Sequence, residues 1–517
     1  MISHLIRIPF HLSVHILFPC NRNRGFRLCF HLFSFDSFDY LCHAYSQLRG
    51  KNMTDYRKLI DDLWGYAETG FEEYHSAETM CTFLENEGFQ VTRKIAHMET
   101  AFEAVYGTGK PVICFLAEYD ALSGMNQKAD VTHYEPVTCA SDNGHGCGHH
   151  LLGTGAIRAA VQYRNYLKEN SLPGTVKLVG CPAEETGSGK AYLARDGYFD
   201  DCDIALTWHP SVYNMVSTGS SQSCIACFFK FHGVSAHAAG SPHLGRSALD
   251  ACELMNVGVN YLREHMEPTD RVHYAYIDAG GKAPNVVQSE AVLKYFVRSA
   301  TNPKCMDLYQ RVIDCAKGAA LMTGTTVDII FDEGLSNLVP NFTLEDVLAE
   351  SFRKLYHPCF TQKQLDYAQS FKDTFDTEQS ISCIPYSVKD RQSVIDSIRK
   401  HPINDFFVET FHSDVCEMGS TDVGDVSWVV PTAQINTACY SYGADAHSWQ
   451  WVAQGKSETA MQASLLAGDI LCDAAKTLYH NPQIIEEAKS ELKQRLQGHT
   501  YQCLIPADIM PHISKAE

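Results

Sequence analysis

The chain has 517 residues, 45% of them apolar and 20% charged, a composition that builds a sizeable core and excludes a disordered chain. Its net charge is −19, from 61 acidic against 42 basic residues. That argues against nucleic acid as a partner, because its binders carry a basic face.

No uncharged apolar run is long enough for a transmembrane helix, so no membrane partner is expected. The length exceeds one ordinary domain, and two are expected. The 20 cysteines are scattered, many inside apolar segments (Cys114, Cys181, Cys227, Cys439). They read as buried thiols of a reducing compartment, which gives a cytoplasmic expectation.

Residues 1–52 carry Arg7, Arg22, Arg24 and Arg27 but few acids, a bias shared with targeting segments. Met53 opens a more ordinary globular sequence, so the first 52 residues are set aside as an extension. Helical spacing follows, with Leu59, Ile60, Leu63 and Trp64 on one face. A second helix carries Met80, Cys81, Phe83 and Leu84, and Gly88 would end it.

Strands are expected over 91–95, 102–106 and 112–118. The last is apolar almost throughout, as a strand covered on both faces should be. It ends in Glu118-Tyr119-Asp120, at the strand edge where open α/β sheets bind ligands.

The stretch Gly144-His145-Gly146-Cys147-Gly148-His149-His150 comes next. Thiolate and imidazole hold zinc and similar ions, and the glycines permit tight turns. A helix is expected from about 150 to 169. A strand over 175–181 then delivers Glu184 and Glu185, and another over 204–208 delivers His209. Strand alternating with helix is the grammar of a largely parallel sheet, so the fold class expected is α/β.

The texture changes near Ser217. About four strands and two helices up to residue 334 suggest an inserted α+β domain. The expected division is 53–217 and 335–480 as two parts of a catalytic domain, 218–334 as the insertion and 481–517 as a tail. From Asn337 the chain reads as helices and loops, with His447 in one loop and a final helix over 456–478.

Taken singly, each residue has a plainer reading. Glu184-Glu185 reads as a solvated turn, Cys147 as an inert thiol, Asp120 as a turn former and His209 as a structural histidine. Their coincidence at matching strand ends favours a metal-assisted hydrolase. One carboxylate holds an ion while its neighbour takes a proton from water and passes it to the leaving amine.

Cys147-Gly148-His149, the Gly174-to-Gly189 block with Pro182-Ala183-Glu184-Glu185, Asp203 to Pro210, Gly233 to Ala239 and Gly281 to Val287 carry a resemblance. Together they resemble the aminoacylase and carboxypeptidase G-type family of metallopeptidases, in the branch of p-aminobenzoyl-glutamate hydrolase and the β-alanyl-lysine-type dipeptidases. The resemblance runs from about Met53 to about Leu478.

It implies a two-metal catalytic domain interrupted by a dimerisation or lid domain, and a homodimer. Matched motif by motif, Cys147, His149, Glu185, His209 and His447 are the implied metal ligands and Glu184 the general base. Asp120 would orient a ligand histidine. His237 would reach a substrate across the dimer interface and stabilise the oxyanion. Asn285 and Arg298 would hold the substrate's carboxylate.

Many relatives carry His-x-Asp where this chain has Glu118-Tyr119-Asp120, so a histidine of the Cys-Gly-His stretch would replace the missing ligand. The thiolate favours zinc, with manganese or cobalt as alternatives. The function expected is hydrolysis of the amide bond in small dipeptides or acyl-amino acids. The alternative is a non-catalytic amino-acid or peptide-binding protein on the same scaffold.

Overall fold

Six apolar residues, Val112–Ala117, form a strand buried at every position, and the fold is layered around it. The structure, a computed structural model, describes residues 53–138 and 141–514. The expected extension over 1–52 lies outside the described residues.

In chain order the strands are β1 (Gln90–Arg93), β2 (Phe102–Thr108), β3 (Val112–Ala117), β4 (Gly174–Gly180), β5 (Ile204–Ser211) and β6 (Met215–Val216). After them come β7 (Ser220–Ser221), β8 (Ser223–His232), β9 (Arg271–Asp278), β10 (Glu290–Ser299), β11 (Thr326–Leu335), β12 (Cys416–Glu417) and β13 (Thr432–Ala438). A seven-stranded sheet has the order β1-β2-β4-β3-β5-β13-β6. Its four middle strands, β4, β3, β5 and β13, are mutually parallel, and the flanking pairs are antiparallel.

The parallel register sets Ala117 opposite Gly180. The chain therefore leaves β3 and β4 side by side, and the acids that follow each strand emerge at one edge. The helix His149–Glu169 is buried along most of its length, as expected of an element between the sheet and a second helix layer. These features bear out an α/β fold with a mostly parallel central sheet.

Between β7 and the helix Phe342–Leu355 the chain builds a second, antiparallel sheet, β11-β8-β10-β9. The helices Ala248–Leu262 and Asn302–Thr323 cover it, and its own core includes Phe229, Met255, Leu293, Tyr295 and Val312.

Two stretches differ from the sequence reading. Residues 432–438, expected among helices and loops, are the parallel strand β13 next to β5. The sequence Thr-Ala-Gln-Ile-Asn-Thr-Ala has no apolar run to announce a central strand, because its polar side chains find partners elsewhere. Ser217 Oγ donates to Asn436 Oδ1 at 2.9 Å.

Residues in the stretch expected as a tail form the helix Pro482–Leu496, which buries Ile485, Ala488 and Leu492. Beyond it, Tyr501 Oη donates to Asp425 Oδ1 at 2.8 Å. Among the described residues, no helix is long and apolar enough to cross a membrane, and every cysteine is a free thiol.

Candidate metal centre

The chain leaves β3 as Glu118-Tyr119-Asp120, all three nearly inaccessible. Tyr119 Oη donates to Thr100 O at 2.7 Å and anchors the turn. Asp120 divides its two oxygens. Oδ1 lies 2.8 Å from His149 Nδ1, and Oδ2 accepts from Glu185 N at 2.9 Å. A carboxylate accepts only, so Nδ1 of His149 carries a proton. Burial lowers the ring's pKa, but Cys147 and Asp120 outweigh it and hold it well above its ordinary value, so an ion at Nε2 would take the place of a second proton.

Of the three histidines in the glycine-rich stretch, only His149 joins the cluster. His145 Nε2 donates to Leu63 O at 3.0 Å, and His150 Nε2 to Gly455 O at 2.9 Å. The loop turns at Gly148, whose φ is +85°. A Cβ there would lie 2.3 Å from Tyr440 Oη and 3.1 Å from Pro210 Cβ, so only glycine fits.

After β4, Ala183 takes a left-handed backbone with φ +57°. It is held by Glu73 Oε1, which accepts from its N–H at 2.8 Å. Glu184 and Glu185 follow in a turn, closed by Gly187 N donating to Ala183 O at 3.0 Å. The turn sends the two side chains to different groups of ligand atoms, Glu184 to that of Glu118 and His149, and Glu185 to that of Cys147 and His447.

His209 sits inside β5. Its Nδ1 donates to Pro210 O at 2.7 Å, which leaves Nε2 unprotonated, 3.4 Å from Cys147 Sγ. His447 reaches the cluster from a loop tied to the glycine-rich stretch by His447 N donating to Gly146 O at 2.9 Å.

Three groups of ligand atoms converge. Those of Cys147, His149 and His209 lie within 4.8 Å of one another, as do those of Cys147, Glu185 and His447, and those of Glu118, His149 and Glu184. All five sequence-predicted ligands are therefore together, with the Cys147 sulfur common to two groups. His149 Nε2 and Glu185 Oε1 are buried and make no well-formed hydrogen bond. Their polar neighbours are other members of the cluster, Glu118 Oε2 at 3.3 Å and His447 Nε2 at 3.4 Å. Buried polar atoms left so are costly, and thiolate, imidazole and carboxylate are donors that divalent ions take. The residues present fit a pair of such ions.

The electrostatics divide the two adjacent glutamates. Burial, with Glu118 and Glu185 adding to it, pushes the half-buried Glu184 well above the usual carboxylate range. Burial pushes Glu185 up too, but His447, whose Nε2 lies 3.4 Å from Oε1, and the charge of His149 outweigh it and hold Glu185 at about 2. Burial, with His149 adding to it, lowers His209, which keeps its ring neutral and ready to ligate. Burial and Glu185 raise the Cys147 thiol well above its ordinary value. An ion that takes its sulfur must displace a proton, which couples ion binding to pH.

The other three predicted site residues lie in the insertion, Arg298 on β10 and His237 and Asn285 in loops outside its strands, and their hydrogen bonds run elsewhere. His237 is exposed, and its Nδ1 accepts from Gly240 N at 3.0 Å. Asn285 is its neighbour, with Asn285 O accepting from Ala238 N at 3.0 Å. Arg298 Nη1 donates to Ser420 Oγ at 2.9 Å.

The sequence reading missed two buried charges behind the ligands, Lys190 and Asp422. Their only signals were a lysine in the glycine-rich run Gly187-Ser188-Gly189-Lys190 and an aspartate in Gly419-Ser420-Thr421-Asp422.

Comparison with known proteins agrees with this geometry. A family model described as peptidase family M20/M25/M40 matches residues 114–452. One of the p-aminobenzoyl-glutamate hydrolase subunits of Escherichia coli (strain K12) is 39% identical over 460 residues, covering 88% of this chain and 95% of that protein. The Xaa-Arg dipeptidase of Mus musculus is 28% identical over 450 residues, covering 84% and 88%.

Among solved structures, a Bacillus subtilis dinuclear metal binding peptidase from the M20 family matches with a TM-score of 0.52 at 15% identity. The match covers 83% of this chain and 98% of that one and shows a shared fold. The chain belongs to the peptidase family M20/M25/M40 and is a hydrolase of amide bonds.

Proposed function

We propose that this protein cleaves the amide bond of a small dipeptide or acyl-amino acid. Glu184 is the general base, and two divalent ions are held by Cys147, His149, Glu185, His209 and His447. The observation that carries this reading is the convergence of three groups of ligand atoms, two of them sharing the Cys147 sulfur, with His149 Nε2 and Glu185 Oε1 buried and making no well-formed hydrogen bond. The relatives' names, a hydrolase of p-aminobenzoyl-glutamate and a dipeptidase of Xaa-Arg, support the substrate class.

The chemistry that bound ions supply is Lewis-acid activation of water and of the amide carbonyl. The protein's own residues do the rest. Asp120 holds the ring of His149 and the backbone of Glu185 in one register. Pro210 O fixes the tautomer of His209. Glu184 takes the proton of the attacking water and returns it to the leaving amine. A carboxyl pushed upward from its ordinary range suits both halves of that task, because it is a stronger base toward the water than an exposed carboxylate.

Zinc is the metal we favour, because a thiolate is among the ligands. Residues 53–217 and 335–480 make up the catalytic domain in this reading, 218–334 the lid and 481–517 the C-terminal segment. His237 serves the oxyanion, and Asn285 and Arg298 the substrate's carboxylate.

The inserted sheet also suits self-association into a homodimer. Its edge strand β9 leaves Tyr274 and Tyr276 each 40% exposed and Ile277 52% exposed, and open apolar edges invite pairing. The free thiols suit a reducing cytoplasm.

A turnover panel of dipeptides and acyl-glutamates, with zinc, manganese or cobalt added, tests the reading. Hydrolysis that chelation abolishes is the expected result. Tight binding without turnover under all three metals would favour the binding-protein alternative.

A further inference from the structure

Behind the ligand cluster lies a cation that the proposed mechanism does not use. Lys190 is fully buried. Its Nζ lies 2.6 Å from Asp422 Oδ1 and 2.7 Å from Glu118 Oε1, and Lys190 N donates to the other Asp422 oxygen at 2.8 Å. Asp422 alone would neutralise the ammonium, since a buried charge needs one good partner. Glu118 is therefore surplus to that pair, and it carries the excess negative charge.

Where that excess points is informative. Glu118 Oε2 lies 3.3 Å from His149 Nε2, the ring nitrogen that Asp120 leaves free to face an ion. Two ligand atoms at that distance hold a proton or a cation between them, and an ion at His149 Nε2 would have this carboxylate oxygen within reach. Glu184 completes the same ligand group.

We propose that Lys190 is a positioning residue of the metal centre. Anchored by Asp422, it grips one oxygen of Glu118 and so turns the other toward the ion at His149, making Glu118 a sixth protein ligand. The inference rests on the reading that the site holds two ions, and it adds to that reading a carboxylate and the buried device that aims it.

The test uses the full-length protein loaded with cobalt, with bound metal counted by mass spectrometry and the ligand field read from the visible spectrum. The variants are Glu118→Gln, which keeps shape and loses charge, and Lys190→Met combined with Asp422→Asn, which removes the buried pair together. Each variant is expected to keep the parent's circular dichroism, to bind one of the two ions about tenfold or more weakly and to shift the visible band. Should the double variant not fold, Lys190→Gln supplies the same readout.

Glu118→Gln with two ions at the parent's affinity and an unchanged band would overturn the ligand role. Unchanged binding in the folded lysine variant would overturn the positioning role. Failure of the underlying reading looks different, because the parent itself would then bind no cobalt.

Discussion

The edge of the seven-stranded sheet and the loops of the inserted sheet assemble candidate site residues in opposite ways. At the first, Glu118, Asp120 and His149 are buried, and each hydrogen-bonds or ion-pairs with a residue distant in sequence. At the second, His237 and Asn285 are exposed on loops and bond mainly to nearby backbone. Under the proposed function, groups that would hold fixed distances to an ion sit on rigid elements, whereas groups that would admit and release a substrate sit where the backbone can give.

Substitutions can break or sharpen this contrast. The largest effect is expected at the buried face. Glu184→Gln should lower turnover about a thousandfold while the protein keeps its metal, as steady-state kinetics and metal analysis on one preparation would show. His237→Ala should lower kcat about a hundredfold, again with metal retained. A larger loss at His237 than at Glu184 would break the contrast.

Asp120→Ala should act on the metal itself. An affinity loss of about 10- to 100-fold in chelator competition is expected, because His149 loses the partner that fixes its ring. Unchanged affinity would show that Asp120 is not needed to orient the ligand.

The smallest effect concerns acid stability. Burial lowers His145 to about 3 from an ordinary 6.5 and lowers His150 well below its own. The folded protein keeps both rings neutral, while the unfolded chain takes up protons as pH falls through 6.5. Stability is therefore full above that pH and is lost on acidification, by about 1.4 kcal/mol per pH unit for each histidine. Urea midpoints of the metal-free protein between pH 7 and pH 5 check this. His145→Gln should flatten the slope, and an unaltered slope would contradict the assignment.

Much of the candidate site was legible because it lies at strand ends. The apolar run before Glu118 and the strand before Glu184-Glu185 each mark where a chain leaves a sheet, whereas His209, expected just past its strand, lies within β5, which runs on to Ser211. The cysteine and histidine of the glycine-rich stretch were legible from ligand chemistry. Strand β13 was not legible, because its alternating Thr, Gln and Asn look solvated until Ser217 is seen to serve Asn436. Nor was the Lys190–Asp422 pair, whose members stand 232 residues apart. Spacing rules report neighbours along one element, and a buried charge declares itself only when its partner is in place.

A tight tolerance in the centre belongs to a residue without a side chain. Gly148 separates two candidate ligands, Cys147 and His149, and its bare α-carbon lies against Pro210, which follows a third, His209. Adding one methyl group would push on Tyr440 or on that proline, and the proline would pass the push to the imidazole beside it. The gap between sulfur and ring is thus gauged by empty space, and any larger residue at this point would reset it.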